Sequence, residues 1–198
     1  MSSIGSLPED FQKCVEFHRH LCPGLAIGYA VAKAALKALD LQASSDEEIV
    51  AVVENDSCAV DAIQALVGCT FGKGNLVFRD WGKQVFTFFD RSSGRGVRVS
   101  FVGPVPGHEE RKRLREKVDS GVATEDDKLR LLELRDEAVA KLVSADSRDL
   151  FSVTEMRTEL PPSTVPVTTR PCPVCGEYTV VSRMVDKNGD LLCADCAQ

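Results

Sequence analysis

The centre of the fold is encoded in residues 49–58, which read Ile49-Val50-Ala51-Val52-Val53-Glu54-Asn55-Asp56-Ser57-Cys58. The first half is a short β-branched run, which predicts a buried strand, and the polar residues after it end that strand. Ser57 has a side chain suited to capping a helix, so we expect a short helix over 58–67 that stops at Gly68. The stretch therefore predicts a strand that leads directly into a helix, with a thiol at their junction.

Three further strands are predicted downstream, over 76–78, 85–89 and 97–102. Both faces of the second of these strands are largely apolar, which is typical of a strand covered on both sides. The Ser- and Gly-rich residues 92–96 form a natural hairpin connection between the last two strands. We therefore expect these two strands to pair with each other.

Helical patterns flank the strands on both sides. The spacing of apolar residues predicts helices over four ranges: 9–20, 25–39, 109–120 and 125–144. Thr124 and Asp127 supply a capping arrangement for the last of them, which closes a helical hairpin over 109–144. Since strands and helices are mixed without a regular βαβ rhythm, we predict an α+β core domain over 1–160, with an antiparallel sheet packed against helices.

A linker and a small cysteine-rich module follow the core domain. Residues 161–171 carry four prolines among serines and threonines, which predicts a linker. Residues 172–198 contain two Cys-X-X-Cys pairs separated by 17 residues: Cys172, Cys175, Cys193 and Cys196. Four thiolates at this spacing can close the tetrahedral shell of one ion, so we predict a structural zinc site in a zinc ribbon or treble clef. The alternative is two independent redox pairs.

A second candidate site lies where the first predicted helix ends, in Phe17-His18-Arg19-His20-Leu21-Cys22-Pro23-Gly24. The proline disfavours a helical conformation for the residue before it, so the helix stops here. Alternate residues of an extended segment point the same way, and we expect His18, His20 and Cys22 to face one pocket. Imidazole and thiolate together suit zinc or another transition metal. The alternative is surface histidines beside a packed thiol.

Two more segments carry candidate site residues. Cys58 stands at a predicted helix N-terminus, which favours the thiolate, although a capped turn with a core cysteine is the alternative. In the glycine-rich residues 68–76 the backbone can approach a ligand closely and Lys73 can bind an anion, but the spacing of a Walker A loop is missing. Cys14 lies on an apolar helical face and is expected in the core.

Composition narrows the class of protein and its location. The chain has 198 residues, of which 43% are hydrophobic and 27% charged, as in ordinary globular proteins. A net charge of −6 argues against nucleic acid or an anionic membrane as a partner. The basic residues 111–115 are surrounded by acidic ones, which indicates a solvated helix face. Without a long apolar run or a signal peptide, we expect a cytoplasmic protein whose eight cysteines are metal ligands or reactive thiols.

Four ordered motifs together resemble the FmdE family of formylmethanofuran dehydrogenase components. The matching segments are residues 17–24, 53–64, 68–76 and 79–84. They cover the domain from about Phe11 to Phe101, and the C-terminal cysteine module looks like an extension that some members carry. One departure is Arg19, where the family pattern has glycine. A bulky cation between the two histidines would narrow or charge the mouth of the pocket.

The resemblance implies an α+β core with an antiparallel sheet, in a homodimer with exchanged elements. It also implies a metal, zinc or another transition metal, at the cysteines and histidines of the motifs. That role is carried to His18, His20, Cys22 and Cys58, with Cys69 as a nearby thiol. Which three or four of them bind the metal is left open.

Three functions are weighed from these features. The first is a metal-binding accessory component for a molybdenum or tungsten one-carbon oxidoreductase, associated with its subunits, because the chain has no cluster-type cysteine run of its own. The second is an independent zinc-dependent hydrolase or thiol-group transferase with Glu54, Asp56 or Asp61 as general base. The third is an interaction module that recruits a partner through the zinc ribbon. Whether the chain is an enzyme by itself is left open.

Overall fold

The computed structural model describes residues 7–157 and 168–198. The chain divides into two compact units, Met1–Leu160 and Pro161–Gln198. Most of the predicted linker lies outside the described residues, and its last three residues form a strand of the second unit. None of the described helices is both long enough and apolar enough to cross a membrane.

The first unit is built on a five-stranded sheet with the strand order β2-β1-β3-β4-β5. Its strands are β1 (Ile49–Val53), β2 (Leu76–Phe78), β3 (Val85–Asp90), β4 (Arg95–Phe101) and β5 (Phe151–Arg157). Three of the four neighbouring pairs are antiparallel, including the predicted hairpin of β3 and β4. The α+β class is therefore confirmed. The sheet is mixed rather than wholly antiparallel, because β1 and β2 pair in parallel across a helical connection.

Strand β5 was not predicted from the sequence. Only its first residue, Phe151, is buried, and the rest of the strand is exposed, so it lacks the alternation that marks a half-buried strand. It pairs with β4 along seven residues, from Phe101 opposite Phe151 to Arg95 opposite Arg157. Pairing with the edge of β4 therefore makes this segment a strand, because its own sequence pattern does not predict one.

Helices cover the sheet of the first unit. The described ones are α1 (Glu9–His18), α2 (Pro23–Leu39), α3 (Ala59–Val67), α4 (His108–Asp119), α5 (Glu125–Ser144) and α6 (Ser147–Leu150). The predicted capping box of α5 is confirmed, since Thr124 Oγ1 accepts from the N–H of Asp127 at 3.1 Å and the Asp127 carboxylate accepts from the N–H of Thr124 at 3.0 Å. Two reciprocal hydrogen bonds thus satisfy donors that the helix itself leaves unpaired.

Helix α2 is the buried helix of this unit, and small residues let it approach α3 closely. Gly28 in α2 faces Ala59, the first residue of α3. A Cβ placed on Gly28 would lie 2.2 Å from the carbonyl oxygen of Ala59 and 2.6 Å from its Cα. Only glycine permits this contact between the two backbones. The contact places the start of α3 against the first turns of α2.

The polar end of β1 is tied into the sheet. Glu54 is 1% exposed, and its carboxylate forms a two-point ion pair with the guanidinium of Arg98 on β4. Asn55 donates from Nδ2 to the carbonyl of Lys83 at 2.6 Å, while its Oδ1 accepts from the hydroxyl of Ser57 at 2.7 Å. A buried carboxylate is costly unless it is paired, so these contacts hold the strand end in place.

The second unit consists of two short hairpins. Strand β6 (Thr169–Pro171) pairs with β7 (Tyr178–Val180), and β8 (Val185–Lys187) pairs with β9 (Asp190–Leu192), both antiparallel. Its described buried core is small and is centred on three residues: Cys172, Leu192 and Cys193. A core of this size contributes little stability, so the cluster of cysteines is the expected source of the rest.

The contact between α2 and α3 predicts the effect of Gly28→Ala. The added methyl group would collide with the backbone of Ala59, so the helices must separate, and we expect a loss of about 1–3 kcal/mol in the free energy of unfolding. Urea denaturation measures the change. The matched control is Gly72→Ala, because a Cβ on Gly72 meets no atom within 4 Å. Equal stability of the two variants would contradict the close contact.

Candidate metal centres

The turn between α1 and α2 brings the first three candidate ligands together. Helix α1 ends at His18, and Arg19 adopts a left-handed backbone conformation with φ of 69° while its N–H donates to the carbonyl of Val15 at 2.7 Å. This conformation suits glycine best, so an arginine here bears a backbone cost. Arg19 is exposed between the two histidines, and its effect on a pocket mouth stays a prediction.

Cys22 and Cys58, the two cysteines of the predicted core site, both stand at helix N-termini. Cys22 is the N-cap of α2, where its Sγ accepts from the N–H of Leu25 at 3.3 Å. Cys58 is the N-cap of α3 and makes no side-chain capping bond. The prediction that Ser57 caps this helix is wrong, because its hydroxyl turns back to Asn55. Gly24 leaves room between the thiols, since a Cβ there would lie 3.2 Å from the Cβ of Cys58.

Four residues bring their donor atoms within 4.8 Å of one another: His18, His20, Cys22 and Cys58. We call this set the core cluster. His18 Nε2 is 3.7 Å from Cys22 Sγ. A tetrahedral zinc ion with Zn–N of about 2.0 Å and Zn–S of about 2.3 Å would separate these two atoms by about 3.5 Å. The residues therefore fit a borderline-soft metal ion, and binding by all four stays a prediction.

A carboxylate from α3 orients one of these histidines. Asp61 Oδ2 lies 2.7 Å from His18 Nδ1, and this contact leaves His18 Nε2 facing Cys22. A carboxylate that accepts from one imidazole nitrogen fixes the tautomer and makes the other nitrogen a better metal ligand. From the sequence alone, Asp61 was only a candidate base. Its position one turn after Cys58 on the same helix was the available signal.

Burial changes the pKa of the Cys22 thiol more than the hydrogen bonds to its sulfur do. Removal from water raises the pKa of Cys22 to about 11, although the N–H of Leu25 acts in the opposite direction. A metal ion binds the thiolate, so loading this site must release the proton that burial retains.

Several other candidates do not join the cluster. Cys69 is fully buried and donates from Sγ to the carbonyl of Ile49 at 3.2 Å, and burial raises its pKa to about 12. It is a packed thiol, as Cys14 is. Lys73 donates from Nζ to the carbonyl of Asp46 at 2.6 Å, so it is engaged within the chain. Glu54 is held by Arg98 and does not reach the cluster.

A pocket of about 400 Å³ opens beside the core cluster. Its lining includes His18 and Cys58, the carboxylates of Asp56 and Asp61, and apolar side chains of α3 and β2. Pockets of this size can hold small ligands. The core cluster is therefore reachable from outside through a partly apolar cavity.

The four cysteines of the second unit form a separate cluster. The sulfur atoms of Cys172, Cys175, Cys193 and Cys196 lie within 4.8 Å of one another, and Cys175 and Cys193 are 3.8 Å apart. A tetrahedral Zn–S distance of about 2.3 Å gives sulfur atoms about 3.8 Å apart. The geometry fits the predicted structural site.

Backbone amides prepare one of these thiols for ligation. The N–H groups of Cys193, Cys175 and Val174 act on the sulfur of Cys172 and lower its pKa to about 6. Hydrogen bonds to the charged form stabilise a thiolate, and thiolates are the form that binds zinc. Gly176, with φ of 76°, turns the chain so that its N–H donates to the carbonyl of Cys172 at 2.8 Å. This is the tight turn that a Cys-X-X-Cys pair requires.

Comparison with protein families identifies the core. A family model described as "FmdE, Molybdenum formylmethanofuran dehydrogenase operon" matches residues 17–152. The chain belongs to the FmdE family. The matched residues contain His18, His20, Cys22 and Cys58, whereas the four-cysteine cluster lies beyond them.

Two known proteins are similar to this chain over most of its length. A solved structure of a tungsten formylmethanofuran dehydrogenase FmdE-like protein from Syntrophus aciditrophicus matches with a TM-score of 0.58 and 25% identity, over 93% of this chain and 88% of that one. A probable S-adenosyl-L-methionine-binding protein from Archaeoglobus fulgidus is 30% identical over 191 residues, which cover 92% of this chain. The chain spans about half the length of that relative, since the match covers 50% of it.

The contact between His18 and Asp61 predicts the effect of Asp61→Asn. Loss of the carboxylate removes the group that orients His18, so we expect the affinity of the core site for zinc to fall about 10- to 100-fold. Competition with a chelating dye on the full chain measures it. The control is Asp56→Asn, which changes an exposed carboxylate of the same pocket that does not contact a candidate ligand. Unchanged zinc affinity in Asp61→Asn would contradict the orienting role.

Proposed function

We propose that this FmdE protein is a metal-binding accessory component of a molybdenum or tungsten one-carbon oxidoreductase. One observation carries the proposal: four donor atoms from His18, His20, Cys22 and Cys58 converge inside the region that matches the family. The family's own description refers to a formylmethanofuran dehydrogenase operon, which supports association with subunits of that enzyme. The metal at the core site is zinc or another transition ion.

His18, His20, Cys22 and Cys58 would offer two imidazoles and two thiolates to the core metal, and either three or all four of them would bind it. Such an ion, when bound, supplies a Lewis acid that can take up a soft ligand, and three protein ligands would leave one position for it. The chain's own residues shape the site: Asp61 orients His18, and the N–H of Leu25 donates to Cys22. His20 is exposed and is the candidate ligand that solvent reaches most easily.

The engagement of the carboxylates disfavours an independent hydrolase. Of the three candidate general bases, Glu54 is buried in its ion pair with Arg98, and Asp61 is committed to His18. A general base needs a carboxylate free to accept a proton from a bound water. Only Asp56 meets that requirement, and it is exposed to solvent. The accessory role asks for no such base.

The second unit has a structural part in the proposal. Zinc bound by Cys172, Cys175, Cys193 and Cys196 would stabilise two hairpins that have little core of their own. The Archaeoglobus relative shares only half of its length with this chain, so S-adenosylmethionine binding is not carried over. We place the protein in the cytoplasm, where cysteines stay reduced and available to metal.

We also propose that the chain forms a homodimer with exchanged elements. The outer strand β5 supports this, because Val153 and Met156 on it are exposed and no described strand pairs with its outer edge. An exposed strand edge with apolar side chains favours pairing with a second chain.

Metal content of single-cysteine variants tests the two sites. We expect about two metals per chain in the wild type and about one in both Cys58→Ser and Cys175→Ser, because each change breaks a different cluster. Elemental analysis of the full chain measures the metal content. Light scattering of the same samples tests the proposed homodimer and should give twice the mass of one chain. Cys69→Ser is the control, since it lies in neither cluster and its hydroxyl can keep the bond to Ile49. Loss of all metal in either test variant would overturn the two-site proposal.

Reconstitution tests the accessory role. Metal-loaded protein added to a formylmethanofuran dehydrogenase preparation that lacks this component should raise its activity. Cys58→Ser should not, whereas Cys69→Ser should act like the wild type. If the wild type has no effect and does not bind the catalytic subunits in sedimentation, the accessory proposal is wrong.

A further inference from the structure

The pocket beside the core cluster is lined by three unlike kinds of residue. His18 and Cys58 are candidate metal ligands, Phe71 and Phe78 contribute exposed aromatic rings, and Asp56 and Asp61 contribute carboxylates. The cavity is about 400 Å³, which is enough for a small ring compound and too small for a folded peptide segment. Nothing in the accessory role accounts for this combination of aromatic and acidic groups.

Two aromatic side chains of the cavity lining are exposed to solvent. Phe71 is 79% exposed and Phe78 is 46% exposed, although both line the cavity. The N–H of Phe71 donates to Gln64 Oε1 at 3.4 Å, and Gln64 Nε2 in turn donates to Asp61 Oδ1 at 3.4 Å. These contacts link the backbone of Phe71 to the carboxylate that orients His18. Exposed aromatic rings held at a cavity offer faces on which a flat ring can stack.

The charged residues that line the cavity indicate which kind of ligand it favours. The described residues that line the cavity include two carboxylates and no lysine or arginine. Two thiolates would balance the charge of a divalent ion bound in the adjacent cluster, so the two carboxylates would leave the cavity with a net negative charge. The carboxylate of Asp56 is exposed and makes no hydrogen bond with the described part of the chain. An anionic ligand is therefore disfavoured, and a cation is favoured by both the carboxylates and the aromatic faces.

We infer that this pocket binds a small aromatic compound that carries a protonated amine, with the ring against Phe71 and Phe78 and the ammonium group at Asp56. The inference deepens the proposed function and rests on it in one respect, because two of the proposed metal ligands, His18 and Cys58, line the same cavity. The binding itself depends on the aromatic rings and the carboxylate.

Three small probes of similar size test the inference on the full chain. Benzylamine has the aromatic ring and the ammonium group, benzoate has the ring with the opposite charge, and cyclohexylmethylamine has the charge without a flat ring. We expect saturable amide chemical-shift changes at residues 56–61 with benzylamine, with a dissociation constant on the order of 1 mM for so small a ligand. The other two probes should bind less tightly. Equal binding of benzoate, or no saturable change with benzylamine, would overturn the inference.

Surface variants locate the binding site. Phe71→Ala and Asp56→Asn should each weaken benzylamine binding about 2- to 10-fold, because they remove an aromatic face and a carboxylate from exposed positions. Tyr178→Ala is the control: Tyr178 is 78% exposed, as Phe71 is, but belongs to the second unit. Wild-type affinity in both pocket variants would place the amine elsewhere and overturn the assignment.

Metal analysis of the same samples separates this inference from the proposed function. Full metal content without benzylamine binding would remove the ligand inference and leave the metal site intact. Benzylamine binding in a chain without core metal would support the pocket and contradict the proposed metal-binding function.

Discussion

The contact between Gly28 and Ala59 is the constraint on which the core site depends. Because glycine has no side chain, α2 and α3 can approach until their backbones touch, and their N-termini then lie side by side. Cys22 and Cys58 are the N-caps of these two helices, so the contact that packs the core also brings the two thiols together. The same approach carries Asp61, on the first turn of α3, to His18. Packing and candidate chemistry thus share one origin.

Polar residues at the end of β1 show how local sequence can suggest the wrong role. A strand that ends in Glu54, Asn55 and Asp56 before a helix has the layout of many catalytic sites. In the structure Glu54 forms an ion pair with Arg98, and Asn55 forms hydrogen bonds with Lys83 and Ser57. These bonds fix the strand end and the turn that presents Cys58. Glu54 therefore has a structural role, and removal of Arg98 would be destabilising because it would leave a buried carboxylate unpaired.

What the sequence predicts well is local, and what it misses depends on distant partners. The strands over 49–53 and 85–89 and the capping box at Thr124 follow from patterns within a few residues, and all three are confirmed. Strand β5 and the pairing of His18 with Asp61 are decided by residues far away in the chain, 43 positions in the second case. The position of Cys58 among the candidate ligands came from family resemblance, because its spacing from Cys22 carries no local signal. The parallel orientation of β2 also depends on a partner outside its own segment, the strand β1.

The two cysteine clusters differ in what their surroundings let them do. Four thiolates around a divalent ion carry a net charge of −2 and fill its coordination shell. The core cluster combines two imidazoles with two thiolates, which would balance the charge of a divalent ion, and His18 and Cys58 line a cavity together with aromatic and acidic side chains. A closed site resists exchange, whereas a site with an exposed histidine and an adjacent cavity can admit a ligand. The surroundings of the core cluster therefore suit an exchangeable ligand, whereas those of the four-cysteine cluster suit a structural ion, which would stabilise two hairpins that have little core of their own.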